Sequence, residues 1–230
     1  MTKFGIGQPV SRFEDPRLLR GRGRYINDIN LPGQAHAVIL RSPHAAASVR
    51  SIDTGAALAA PGVLAVYTGA DVEADGLGTM TINLPRKRAD GSPMFARPHR
   101  GLSKDRVRFV GDPVAMVIAE TQAQARDAAE LVAIDYDPLP SITTTADTVK
   151  PGAPRVWDEC PDNVSNIFEV GNKAATEAAF ASAKHVMKRR YVISRVFAHY
   201  MEPRGAIGSY DEGQDRYTLY ADVQYPHRVR

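Results

Sequence analysis

Residues 106–140 constrain the fold more tightly than any other stretch of this sequence. Arg106 to Val110 and Pro113 to Glu120 (PVAMVIAE) are apolar and β-prone, and Gly111-Asp112 breaks the run at a turn. Thr121-Gln122-Ala123-Gln124 then fits a capping box, with a hydroxyl at the N-cap and a glutamine three residues on. Ala125, Ala128, Ala129 and Val132 follow at i, i+3, i+4 and i+7, which gives a helix one apolar face. Ile134 to Asp137 is short and extended, and Pro138 and Pro140 close it. Strand, helix and strand in succession predict an α+β fold.

The flanks are less regular. The first thirty or so residues are rich in Gly, Arg and Asp and read as an extended arm. Gln34 to Arg41 alternates weakly and stops at Ser42-Pro43, which predicts a strand and a turn. Val49 to Asp53 and Val63 to Tyr67 are further strand candidates, and Thr54 to Ala60 predicts a short helix stopped by Pro61-Gly62. Residues 74–103, punctuated by Gly76, Gly78, Pro85, Gly91, Pro93, Pro98 and Gly101, predict a long connection of functional or interface character. Thr143 to Pro154 has linker composition. Beyond it, Lys173 to Ala183 predicts a helix, and His185 to Phe197, Gly205 to Tyr210 and Tyr217 to Ala221 predict strands. The last two flank Asp211 to Asp215, a hairpin turn by composition. A lone hairpin is marginal in water, so the second domain is expected to be unfinished.

Several function classes are excluded by what is missing. Cys160 is the single cysteine among 230 residues, so no internal disulfide, iron–sulfur cluster or cysteine-based zinc site is available. A redox centre of that kind belongs on another chain. The formal charge of +3 comes from short basic clusters, at Arg12 to Arg24, Arg86 to Arg88 and Lys188 to Arg190. These lack interleaved aromatics and read as solvated surface or subunit contact rather than as a nucleic-acid interface. No apolar run approaches the roughly 20 residues of a membrane span. The start, Met1 to Gly5, lacks a secretory h-region, so a cytoplasmic location is expected.

Chemistry is sparse when read from residue types alone. The six histidines show no metal-ligand spacing. Gly5-x-Gly7 and Gly21-x-Gly23 complete no dinucleotide fingerprint, and no Gly-x-Ser-x-Gly is present. Glu202-Pro203-Arg204, beside His199 and Tyr200, predicts a partly buried ion pair that fixes strand geometry. Asp222 to His227 (DVQYPH) follows a strand and enters a proline-limited turn. There Gln224 carries both donor and acceptor groups, suited to an oxo ligand or a substrate carbonyl. No catalytic residue and no metal ligand is assigned.

The blocks RFEDPRLLRGRGRY (Arg12 to Tyr25), LRSPHA (Leu40 to Ala45), RVRFVGDPVA (Arg106 to Ala115), ARDAA (Ala125 to Ala129), MEPR (Met201 to Arg204) and QYPH (Gln224 to His227) run in order over essentially the whole chain. Together they resemble the molybdenum-binding large subunits of the xanthine dehydrogenase/aldehyde oxidase/carbon monoxide dehydrogenase superfamily. The resemblance implies an arm at 1–19, an α/β-hammerhead domain at 20–138 and a linker at 139–154. At 155–230 it implies the incomplete beginning of a molybdopterin-binding α+β domain. It implies an oxidoreductase that hydroxylates an aldehyde, N-heterocycle or similar small substrate with water as oxygen source. The implied cofactor is molybdopterin, in its cytosine dinucleotide form. Iron–sulfur clusters and FAD are implied on small and medium partner subunits. Gln224 matches the glutamine that hydrogen-bonds the apical oxo ligand, and it is the one residue carried to the cofactor. His44, Glu202 and Arg204 match family motifs as structural residues. The family's Gly-Gly-x-Phe-Gly cofactor loop, its substrate loop and its general-base glutamate are expected beyond Arg230, in the missing C-terminal part of the large subunit. The chain alone is therefore expected to be inactive. The alternative is a standalone or split-subunit interaction protein that uses the hammerhead domain to bind partner subunits.

Overall fold

The computed structural model describes residues 11–80, 85–97, 99–194 and 196–229. In chain order its elements are α1 (Asp15–Leu18), β1 (His36–Arg41), β2 (Ala47–Asp53), α2 (Gly55–Leu58), β3 (Val63–Thr68), α3 (Gly69–Ala74), β4 (Arg106–Val107) and β5 (Pro113–Ala119). These are followed by α4 (Gln122–Glu130), β6 (Ala133–Pro138), α5 (Thr145–Thr148), α6 (Lys173–Ser182), β7 (Ala206–Asp211), β8 (Arg216–Ala221) and α7 (Pro226–Val229). The chain divides into two compact units, one of residues 34–187 and one that combines 1–33 with 188–230. Among the described residues, no helix is long and apolar enough to cross a membrane.

In the 34–187 unit, two three-stranded antiparallel sheets run in the orders β1-β5-β3 and β4-β2-β6. β5 is the central strand of its sheet. Val114, Ala115, Val117 and Ala119 are all buried, which explains why its sequence reads as a continuous apolar run. Thr121 ends the strand and caps α4, where its Oγ1 accepts from the Gln124 amide at 3.3 Å and donates to Gln124 Oε1 at 2.8 Å. The buried helix face is Ala125 and Ala128, small enough to let α4 lie close over β1 and β5. β5 and β6 belong to different sheets, so α4 carries the chain from one sheet to the other. One core cluster is built on Ala57, Val117, Ala128 and Val132, and a second on Ala47, Val107 and Val114. Leu40 and Ile134 pack against both, joining the sheets over a shared interior.

The connection over 74–103 is mostly irregular, as expected, with single bridges at Met80–His99 and Lys87–Pro93. It is nevertheless tied down by the segment after the linker. Arg88 reaches the Asp162 carboxylate and the Val164 carbonyl. The Phe95 amide donates to the Ser165 carbonyl, and Ser165 Oγ donates to the Phe95 carbonyl, both at 2.9 Å. These bonds group residues 139–187 with the sheets rather than with the C-terminal segment. Residues 20–33 likewise group with 188–230 in this division into compact units.

In that second unit, β7 and β8 form the expected hairpin, in register from Ala206–Ala221 to Asp211–Arg216. Its loop closes through Gln214 N donating to Asp211 Oδ1 at 3.1 Å, with Asp215 in the left-handed region at φ +47°. The strand expected over His185 to Phe197 does not form: the described residues there have no regular secondary structure. Its β-branched and aromatic residues suit a strand, but a strand needs a neighbouring ladder, and none is supplied among the described residues.

Candidate functional site

Two motifs meet at the open end of the hairpin. The Ala206–Ala221 pair sets Gly205 beside Asp222, and the Gly205 amide donates to Asp222 Oδ1 at 3.3 Å. From the incoming side, half-buried Glu202 accepts from the Ile26 amide at 3.1 Å. The turn that presents this amide is closed by the Tyr25 amide donating to Asp28 Oδ2 at 2.8 Å. Gly205 is required here by close approach, because a Cβ would stand 2.7 Å from Ile26 Cγ2. Residues 25–28 are thus held against 202–205, and Ile26 is buried.

The ion pair expected between Glu202 and Arg204 is absent. The carboxylate is taken by a backbone amide, while Arg204 is exposed and donates from Nε to the Tyr200 hydroxyl at 2.8 Å. That hydrogen bond is the largest influence holding its pKa above the ordinary guanidinium value. The Arg204 guanidinium also lies 5.3 Å from the centre of the Phe197 ring. His199 sits edge-on to the same ring at 5.2 Å with φ +44°. Gln224 occupies the bend between β8 and α7, two residues past Asp222. It is exposed, and its carboxamide makes no hydrogen bond among the described residues. Asp222 therefore pins the backbone at the base of the bend and leaves the amide of Gln224 uncommitted. Among the described residues, no group of three or more His, Cys, Asp or Glu is placed to hold a metal ion.

The other motif residues form a structural joint in the 34–187 unit. The Ser42 amide donates to the Asp112 carbonyl at 2.9 Å, and the Gly111 amide to the Ser42 carbonyl at 2.8 Å. Both Ser42 and Asp112 are buried. The Asp112 carboxylate accepts from the Arg108 amide at 2.9 Å, while Ser42 Oγ accepts from the His44 amide at 3.0 Å. The His44 ring stands 5.0 Å from Tyr136. Sequence reasoning gave Ile26 and Asp222 no role. Asp222 had a local signal, an acid directly after a strand, but its partner Gly205 is a glycine amide with no side chain to announce it.

A family described as aldehyde oxidase and xanthine dehydrogenase, a/b hammerhead domain, matches residues 20–140. A molybdopterin cofactor-binding domain matches residues 156–230. The nicotine 6-hydroxylase large subunit of Paenarthrobacter nicotinovorans is 40% identical over 100% of this chain and 27% of its own length. The carbon monoxide dehydrogenase large chain of Afipia carboxidovorans is 34% identical over 98% of this chain and 28% of its own length. Among solved structures, quinoline 2-oxidoreductase from Pseudomonas putida 86 superposes with a TM-score of 0.81 at 36% identity. That match covers 97% of this chain and 28% of the other. The chain thus spans little more than a quarter of the length of these relatives.

Proposed function

The chain belongs to the aldehyde oxidase and xanthine dehydrogenase family, and from that premise we propose that it serves as the N-terminal part of the large subunit of a molybdenum hydroxylase. The observation that carries the reading is Gln224: an exposed, uncommitted carboxamide fixed at the open end of a hairpin, inside the stretch that matches a molybdopterin-binding domain. A neutral amide suits this role, because it donates to a ligand oxygen without adding charge. Turning it toward a cofactor breaks no bond among the described residues, so the residues present fit the group. When bound, the molybdenum carried by molybdopterin would supply the two-electron redox chemistry of hydroxylating an aldehyde or N-heterocycle, with water as the oxygen source.

The chain's own residues have positional tasks. Asp222, through the Gly205 amide, fixes the strand exit from which Gln224 projects. Glu202, through the Ile26 amide, holds the N-terminal turn against the same motif. The Asp222 carboxylate is engaged by the Gly205 amide, whereas a base must stand within hydrogen-bond reach of the water it activates. The general base, the glycine-rich cofactor loop and the substrate loop come from further polypeptide, and the chain alone turns nothing over. We place the cytosine dinucleotide form of the cofactor in the complete enzyme, iron–sulfur clusters on a small subunit and FAD on a medium subunit, all in the cytoplasm.

The test is to purify the native complex through a tag on this chain and to measure molybdenum, iron and FAD. Hydroxylation of a panel containing nicotine, quinoline and xanthine is then run in isotopically labelled water. Label in the product with molybdenum in the complex is expected, and Gln224→Ala should lower retained molybdenum while the far-UV spectrum stays unchanged. A complex without molybdenum, or product oxygen drawn from dioxygen, overturns the reading. Recovery of the remaining large-subunit sequence on a separate polypeptide would favour the split-subunit form.

A further inference from the structure

The 34–187 unit also holds a cleft of about 530 Å3 that the hydroxylase reading does not use. Its volume lies in the range of about 300–1,000 Å3 typical of small-molecule sites. Arg97, Arg100, Lys104, Arg106, Arg108 and Trp157 are among its lining residues. Arg106 and Arg108 flank Val107, which is fully buried. On extended backbone the two arginines therefore leave the opposite side together.

Both guanidinium groups are held in place and partly buried. Arg108 stacks on Trp157 at 3.7 Å, and its Nε donates to the Val156 carbonyl at 3.2 Å. Burial first, and the neighbouring Arg106 charge second, lower its pKa from the ordinary value. Arg106 donates to the Arg155 carbonyl at 3.2 Å and reaches Asp158 at only 3.4 Å, while its Nε is buried without a partner. Asp158 is itself 77% exposed, so water screens that pair. Arg100 and Lys104 share Glu73 at 3.5 and 2.5 Å. Arg97 makes no ion pair among the described residues. Asp105, Asp112 and Glu159 also line the cleft, but the Asp112 carboxylate already accepts from the Arg108 amide. Two adjacent, partly buried cations are matched by an oxyanion that accepts several N–H groups at once.

We propose that this cleft binds a small oxyanion, a molecule bearing phosphate or carboxylate groups, with Arg106 and Arg108 as its principal donors and Arg97 supplying a further charge. Trp157 is the one tryptophan of the sequence, so its fluorescence reports on this cleft alone. The 230-residue chain is titrated with inorganic phosphate and, separately, with citrate, at ionic strength held constant with chloride. A saturable change with either anion is expected, and the tighter of the two identifies the phosphate or the carboxylate source. Arg106→Gln should weaken the apparent affinity tenfold or more. Arg97→Gln, which breaks no described bond, should weaken it severalfold with an unchanged Tm. Arg50→Gln, whose native partner is Asp137 outside the cleft, should bind as wild type. The absence of a saturable change with both anions, or wild-type affinity in Arg97→Gln and Arg106→Gln alike, overturns the proposal. So does equal loss in Arg50→Gln, which would mark general charge screening.

Discussion

At the residue scale, the carboxylate of Asp71 has a measurable consequence. The Thr68 amide and the Thr68 hydroxyl both donate to Asp71 Oδ2 at 2.7 Å, closing the first turn of α3. The hydroxyl first, and the amide second, hold the Asp71 carboxyl below the usual carboxylate range. A carboxyl whose folded pKa is depressed contributes its full stabilisation above its unfolded value of about 3.9. That contribution is lost as pH falls toward and through the lower folded value. Asp71→Asn keeps an acceptor oxygen but loses the charge. The Tm difference between wild type and Asp71→Asn should be largest at neutral pH and close progressively below about pH 4. A difference independent of pH would show that the charge contributes nothing. Glu202 shows the limit of the same residue-level logic. Its motif was visible in the sequence, but its partner is an amide 176 residues earlier, and a backbone N–H leaves no trace in residue identity.

At the element scale, α4 carries the clearest correspondence between sequence and structure. Thr121 at its N-cap satisfies an otherwise orphaned amide, and replacing such a cap with alanine costs about 1 kcal/mol. Thr121→Ala should lower the Tm by about 2–4 °C in a thermal melt, with no change in the spectrum of the folded state. An unchanged Tm would mean that the contact of Ala125 and Ala128 with the sheet sets the helix end without help. β5, α4 and β6 were legible because each carries its own period or cap in consecutive residues. The sheet orders were not, because which strands become neighbours depends on partners far apart in the chain, as β1 pairs with β5 and β2 with β6. α3 was missed although Thr68 and Asp71 stand at capping-box spacing, a signal as local as the one that found α4. The converse failure is His185 to Phe197, where propensity predicted a strand but the ladder that would realise it is not supplied. Gln224 was singled out by resemblance alone, and the bend that exposes it depends on Asp222 and the hairpin register.

At the scale of the whole molecule, stability and motif chemistry are unequally distributed. Every described buried hydrophobic residue except Ile26 lies within 34–187. The unit of 1–33 and 188–230 holds MEPR and QYPH yet leaves Tyr191, Ile193, Val196 and Met201 more than 80% exposed. Apolar surface on that scale marks an interaction face, and a hairpin without a third strand is marginal in water. Native-state hydrogen exchange on the 230-residue chain should therefore show two tiers. Amides of β5 and α4 should exchange only through near-global unfolding, and those of β7 and β8 much faster. Glu202→Ala should speed exchange at Ile26 and across 202–205 while leaving β5 unchanged, because the bond it removes is internal to the second unit. Equal protection in β8 and β5 would mean that the hairpin carries a sufficient core of its own. In the hydroxylase complex proposed above, the slow tier should extend to β7, β8 and the segment 188–201, because added polypeptide would cover the apolar residues that now face water. If that segment exchanges as fast in the complex as in the chain alone, its exposed residues are not where the rest of the large subunit packs.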